Sequence, residues 1–277
     1  MSRIFLISSN TTTDPYPVYP LGMAVVSGAL QQAGHQVQQY DCLVQGGDIP
    51  QLVASIEAFA PDLLSISLRN IDNVDSLSGD DGWYLKQVKD FITDLRHQLK
   101  VPIVIGGPAL TILPEEIAKY LDVDHAIIGE GELSLPQLVA DLAAGKKVPQ
   151  IIERNQPLPG DKFSAPLFDQ RLVDYYLQQS GMANLQTKRG CPFRCSYCSY
   201  PHLEGKHFRF RSVSLVADEL ERMRREHGVE RVFFTDSVFN DPQGEYLKLV
   251  EEMLRRDLQM QWSAFFRPQG FGREELQ

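Results

Sequence analysis

Between residue 3 and about residue 143 the chain repeats one pattern: a short apolar run, a turn-rich break, then a longer amphipathic stretch. Apolar runs this short suit strands buried on both faces, and a sheet buried on both faces needs helices on each side. The amphipathic stretches are long enough to cross from one parallel strand to the next. Strands are predicted over 4–8, 36–40, 63–67, 103–105 and 126–128, and helices over about 20–33, 49–59, 83–98, 114–120 and 133–143. Five such units make an α/β fold, a five-stranded doubly wound parallel sheet.

In sheets of this kind ligands sit outside the carboxyl ends of the strands. Those ends carry the least ordinary connectors: Asn10 in 9–13, then Ser67, Leu68, Arg69 and Asn70, then Gly106 and Gly107, then Gly129, Glu130 and Gly131. Glycine lets backbone approach a ligand closely. Any one of these glycines is equally well a strand terminator, but four unusual segments on one edge favour a pocket. The polar connector 69–82, with Asp72, Asp75, Asp80 and Asp81, lacks the spacing of a calcium loop and its closing Glu. A long loop of this kind is expected to act as a lid.

A length of 277 residues suits two domains. Residues 146–182 carry Pro149, Pro157, Pro159 and Pro166 with no apolar periodicity, and read as a linker between domains 1–145 and 183–277. The second domain holds another βα series, with strands over 184–187, 231–235 and 261–265 and helices over 214–227 and 243–256. The net charge of -9 argues against nucleic acid as a partner. The positive charge gathers locally at Lys188, Arg189, Arg194, Lys206, Arg209 and Arg211. No apolar run reaches the roughly 18 residues of a membrane span. The short run 4–7 passes straight into polar residues, as a buried strand does and a signal peptide does not. A cytoplasmic protein is expected, and there an odd trio of cysteines points to metal or redox chemistry. Cys42, the fourth, reads as a small buried residue.

The trio lies in residues 188–201, KRGCPFRCSYCSYP, with spacing C-x3-C-x2-C. His202 would complete a zinc set of C-x3-C-x2-C-x3-H. A 4Fe-4S cluster takes four thiolates as a rule; three leave one iron open to a substrate or cofactor. Zinc modules are self-contained, whereas this loop follows a predicted strand and opens a βα series, so the cluster is favoured.

The run Gly190 to Cys198 resembles the signature loop of the radical S-adenosylmethionine (SAM) enzymes. The resemblance implies that Cys191, Cys195 and Cys198 hold the cluster, that SAM chelates the fourth iron, and that Tyr197 lies beside its adenine. An electron from the cluster then cleaves SAM to methionine and a 5'-deoxyadenosyl radical, which implies a reductase or flavodoxin-type donor as partner. The N-terminal half, with Ser65 to Arg69, Ile105 to Pro108 and Gly129 to Glu132, is similar to the flavodoxin-like cobalamin-binding domains that precede many radical SAM cores. The D-x-H-x-x-G signature of many corrinoid proteins is absent around His35 and His125. The resemblance therefore implies cobalamin bound without a histidine ligand, with Leu68, Arg69 and Asn70 as candidates for its lower face.

Further along, 207–212 and 234–239 resemble segments of the cobalamin-dependent subgroup. Arg209 or Arg211 is expected to pair with a carboxylate or position the cluster edge, and Asp236 to bond SAM or substrate, or else to cap a turn. The implied function is a cobalamin-dependent radical SAM methyltransferase moving methyl from methylcobalamin to an unactivated carbon. A cyclase or rearrangement enzyme, or a cobalamin-binding fragment without turnover, are the alternatives. Only about half of a (β/α) barrel of radical SAM type follows the linker, so the chain is expected to be part of a longer protein or to be completed by a partner. The substrate class, small molecule, lipid or peptide, is not readable.

Overall fold

The structure, a computed structural model, describes residues 1–71, 83–154, 156–269 and 272. The lid expected in the connector 69–82 therefore lies outside the described residues from position 72 onward. The chain divides into two units.

The first unit contains β1 (Arg3–Ser8), α1 (Leu21–Gln32), β2 (Gln36–Asp41), α2 (Cys42–Gln45), α3 (Ile49–Phe59), β3 (Leu63–Ser67) and α4 (Tyr84–Gln98). It continues with β4 (Ile103–Gly106), α5 (Pro108–Ile112), α6 (Pro114–Leu121), β5 (His125–Ile127), α7 (Gly131–Ala143) and β6 (Ile151–Ile152). All the strand pairings are parallel, in the order β2-β1-β3-β4-β5-β6. The chain reverses its winding between β1 and β3, which is where an open α/β sheet leaves a crevice at its carboxyl edge.

Ile4, Phe5, Ile7, Leu64, Ile66 and Ile105 are fully buried, as strands covered on both faces must be. Phe5, Ile7, Leu64 and Ile66 share one apolar core with Leu52 and Ile56 of α3, Val88 and Ile92 of α4, and Ile117 and Leu121 of α6. The five expected strands are present, and a sixth was not anticipated. Only Ile151 and Ile152 form β6, pairing with Ala126 and Ile127. Two apolar residues are too few to show a period, so their strand character exists only through the partner strand.

The second unit contains α8 (Gln170–Ser180), β7 (Ala183–Leu185), β8 (Lys188–Arg189), α9 (Tyr200–Leu203) and β9 (Arg209–Phe210). After these come α10 (Val213–His227), β10 (Arg231–Phe234), α11 (Glu245–Arg255) and β11 (Gln261–Ala264). Parallel strands run in the order β11-β10-β7, and β8 pairs antiparallel with β9. Leu185, Val232 and Phe234 are buried, as are Val216, Leu220 and Met223 of α10 and Leu249 and Met253 of α11. Gly228, at φ 65°, ends α10: its N–H and that of Val229 return to Arg224 O and Met223 O.

The stretch 146–182 is more structured than its proline content suggests. It supplies β6 and 164–169 to the first unit, and 157–163 and α8 to the second. Residues 164–169 lie across α1: Leu167 N–H donates to Ala24 O, and Gln39 Nε2 donates to Leu167 O. Gly28 makes this approach possible, since a Cβ there would overlap the Ala165 carbonyl oxygen. Gly28→Ala gains about 1 kcal/mol of helix propensity but must displace that backbone at a cost of about 1–3 kcal/mol. A net fall in stability is expected, read as a lower thermal midpoint by circular dichroism.

Candidate functional site

On the first unit, strand register brings the predicted edge residues side by side. Ser8 lies opposite Ser67, and Ser67 opposite Gly106, at the carboxyl ends of β1, β3 and β4. The Ser9 hydroxyl donates to Ser67 O (2.9 Å) and pairs with the Tyr84 hydroxyl (2.8 Å), whose pKa burial pushes well above the ordinary phenol value. Asn10 is only 5 % exposed, and its Oδ1 has no hydrogen-bond partner among the described residues. A buried unpaired carbonyl is costly, so this edge has acceptor capacity to offer a ligand.

Gly107 sits at φ 108°, and a Cβ there would overlap the Leu68 carbonyl. Only glycine fits both the conformation and the space. Gly129, at φ 75°, has open space where a Cβ would stand, and its N–H donates to Thr111 Oγ1 (3.0 Å). Glu130 precedes α7 as its N-cap, and Gly131 opens the helix where a Cβ would press on Val26 of α1 at 3.1 Å. Leu68 is fully buried in the core and its backbone bonds Gly106 and Ala109, whereas Arg69 is exposed and Asn70 half-buried. His35 and His125, the two histidines weighed as corrinoid ligands, lie on the other edge. His35 precedes β2 and accepts the Ser2 N–H through Nδ1, while His125 begins β5 with Nδ1 on Pro149 O. Neither can reach a group held at the carboxyl ends. The edge fits a cobalamin without a histidine ligand: it has a close-approach glycine, open space and an unpaired buried acceptor.

On the second unit the cysteine loop leaves from β8 and returns through β9, with Lys188 opposite Phe210 and Arg189 opposite Arg209. Gly190, at φ 85°, starts the loop where a Cβ would overlap the His207 carbonyl. Cys191 N–H donates to Gly205 O (3.0 Å) and Cys198 N–H to Cys195 O (3.2 Å). All three thiols are free: Cys191 is buried, Cys198 half-buried and Cys195 exposed. Among the described residues no three His, Cys, Asp or Glu side chains gather closely enough for a single metal ion. A cubane asks for a different arrangement, one thiolate on each of three irons, and a short loop bearing three free thiols is the donor set it needs. The Cys42 thiol is pushed up to about 12, mainly by burial.

Arg209, Arg211 and Asp236 are engaged within the chain, whereas Tyr197 is exposed. Arg211 pairs through both terminal nitrogens with the Glu219 carboxylate of α10 and donates to Gln186 O. Arg209 donates to Leu158 O and Glu204 O and lies over the Phe163 ring. Asp236 is completely buried and accepts from Thr187 N–H (2.7 Å), the Thr187 hydroxyl, Lys188 N–H (3.3 Å) and Lys188 Nζ (3.1 Å). Tyr197 is 92 % exposed. Of the local gathering of cations, Lys188 is only 2 % exposed, while Arg194 and Lys206 stay at the surface. Sequence reasoning missed this burial, together with Asp241 and Glu204. The contacts that bury Lys188 and Glu204 come from residues distant in the chain, and although Asp241 meets the start of α11 locally, nothing local announces its approach to Lys188.

These two sites have counterparts in known proteins. Residues 7–139 match the B12 binding domain family and residues 185–270 the Radical SAM superfamily. The chain thus carries a B12 binding domain followed by a Radical SAM domain. An uncharacterized methyltransferase of Pyrococcus horikoshii is 26 % identical over 94 % of this chain and 57 % of its own length. Tryptophan 2-C-methyltransferase of Streptomyces laurentii is 22 % identical over 87 % of this chain and 50 % of its own. The radical SAM methyltransferase TsrM of Kitasatospora setae, solved with cobalamin and a [4Fe-4S] cluster, superposes with a TM-score of 0.82 at 23 % identity. That match covers 99 % of this chain and 58 % of TsrM. The chain thus spans about half the length of the curated relatives it matches. Among the described residues no helix is long and apolar enough to cross a membrane.

Glu204 ties the loop's two ends together: it accepts the Gly190 N–H (3.1 Å) and Gln186 Nε2 (2.9 Å). Burial raises its pKa, with Asp236 adding to the effect against the lowering influence of these donors and Arg189. A carboxyl raised in the folded state keeps its proton longer there than in the unfolded chain. The contribution of Glu204 to stability is therefore fully present below the ordinary glutamate value of 4.5 and is lost as pH rises through the higher folded value. Glu204→Gln is expected to flatten that dependence in a series of urea denaturations from about pH 4 upward.

Proposed function

We propose that this chain is the cofactor-bearing part of a cobalamin-dependent radical SAM methyltransferase acting on an unactivated carbon. The observation that carries the reading is the joining, in one chain, of a β2-β1-β3 crevice free of histidine to a three-thiol loop at the end of a βα series. The methyltransferase names of the relatives point the same way.

Cys191, Cys195 and Cys198 would hold a 4Fe-4S cluster with one iron left for SAM. Gly107, Gly129 and Asn10 would approach cobalamin at the strand ends. When bound, the cluster with SAM supplies one-electron bond cleavage, and cobalamin supplies a methyl carrier. The protein's own part is to hold the thiols on a stapled loop, to let glycine backbone approach the corrin, and to withhold any imidazole from its lower face. Asp236 holds the start of the thiol loop and has no free lone pair directed outward, so its role is to shape the site. Tyr197, exposed on the loop, is available to stack on a flat base such as adenine. Reduction would come from a flavodoxin-type donor in the cytoplasm.

The test is electron paramagnetic resonance on anaerobically reconstituted, dithionite-reduced protein, with and without SAM. A 4Fe-4S signal that shifts on adding SAM is expected, and Cys191→Ala, Cys195→Ala and Cys198→Ala should each abolish the shift. A cluster indifferent to SAM, or zinc in its place, would overturn the reading. With both cofactors bound, 5'-deoxyadenosine and S-adenosylhomocysteine are expected together. The first product alone would assign a rearrangement instead of methyl transfer.

A further inference from the structure

Lys188 stands three residues before the first cysteine and is 2 % exposed. A buried ammonium is tolerated only where every direction offers a partner. Here Nζ donates to Phe239 O (2.8 Å) and to Asp236 Oδ2 (3.1 Å), with Asp241 Oδ2 at 3.7 Å. The Phe239 ring lies at 5.1 Å and the Phe208 and Phe210 rings at 5.9 Å each.

The partners come from two parts of the second unit, the connector from β10 to α11 and the returning side of the cysteine loop. Asp236 and Phe239 lie in the segment after β10. Asp241 is 3 % exposed and lies just before α11, accepting the N–H groups of Gln243, Glu245 and Tyr246 where the helix starts. Phe208 and Phe210 bring the returning side of the cysteine loop. Asp236 also holds the N–H groups of Thr187 and Lys188 itself, and Ser237 Oγ donates to Gly190 O (3.2 Å). If the loop base moves, one cation and two carboxylates lose their compensation together, so the arrangement is complete or broken, with little between.

We propose that Lys188 is a positioning residue for the thiol loop: through Asp236, Asp241 and Phe239 O it locks Cys191 in place and so sets the iron left open to SAM. This rests on the cluster reading above. Lys188 touches no reacting atom in the proposal.

The test compares wild type, Lys188→Met, Lys188→Arg and Asp241→Asn in the full chain. In the iron-free proteins, amide hydrogen exchange over 187–191 is expected to speed up on the order of tenfold or more in Lys188→Met. After reconstitution, the SAM concentration that half-shifts the paramagnetic signal is expected to rise on the order of tenfold in the same variant. Lys188→Arg, which keeps the cation, should recover much of both. Asp241→Asn removes the charge but keeps one acceptor oxygen for the start of α11, and should move both readouts in the same direction by less; it carries the test if Lys188→Met does not fold. A purely structural role would lower the thermal midpoint and leave the SAM titration at its wild-type position. That outcome in Lys188→Met, or in Asp241→Asn if it alone is folded, overturns the proposal. A wild-type chain that takes up no SAM-responsive cluster overturns the cofactor reading, and this inference with it.

Discussion

The C-terminal unit depends on one buried carboxylate. Asp236 stands where β10 ends, completely out of water, and four donors from Thr187 and Lys188 converge on it. A carboxylate in that position is stable only if its donors stay, and all four belong to the two residues that lead β7 into the cysteine loop. The parallel pairing of β7 with β10 puts Leu185 opposite Phe234. The next residues on each strand, Gln186 onward and Thr235 onward, then meet at the same edge. Sheet register thus decides that a residue 49 positions away holds the loop base.

The first unit solves a different problem with the same geometry. Its sheet aligns the carboxyl ends of β1, β3 and β4, and the close contact of Gly107 with Leu68 keeps that edge low. A side chain there would push α5 away from β3. His35 and His125 have been placed by the same sheet on its amino edge, each consumed by a backbone hydrogen bond. A bound corrin would then meet backbone, serine and asparagine from this edge, not an imidazole.

Much of this was legible in the primary structure. Helix α3 and strand β3 have the bounds that periodicity predicts, 49–59 and 63–67, because each presents a clean apolar pattern between turn residues. Strand β6 and helix α8 were hidden in a segment read as linker. In β6 the signal is two residues long, and in α8 it was masked by the prolines before it. The same limit applies to the sites. Three cysteines at fixed spacing are visible to inspection, and so are glycines at strand ends. Arg211 was readable as a carboxylate partner, but its partner Glu219 was not. The gathering of cations around the loop reads as a surface feature, yet Lys188 and Arg211 are both turned inward.

The amino-acid sequence by itself determined the parallel α/β architecture, the identity of the thiol loop and the absence of a corrinoid histidine motif. These are local properties: period, spacing and composition act over a few residues. Tertiary structure alone decided that Lys188 is buried, that Asp236 is spent on holding the loop, and that Gly28 and Gly107 are close-approach points. Each of these depends on groups distant in the chain brought within hydrogen-bond or van der Waals range, and the free energy of burying a charge or a backbone contact is set by what surrounds it after folding.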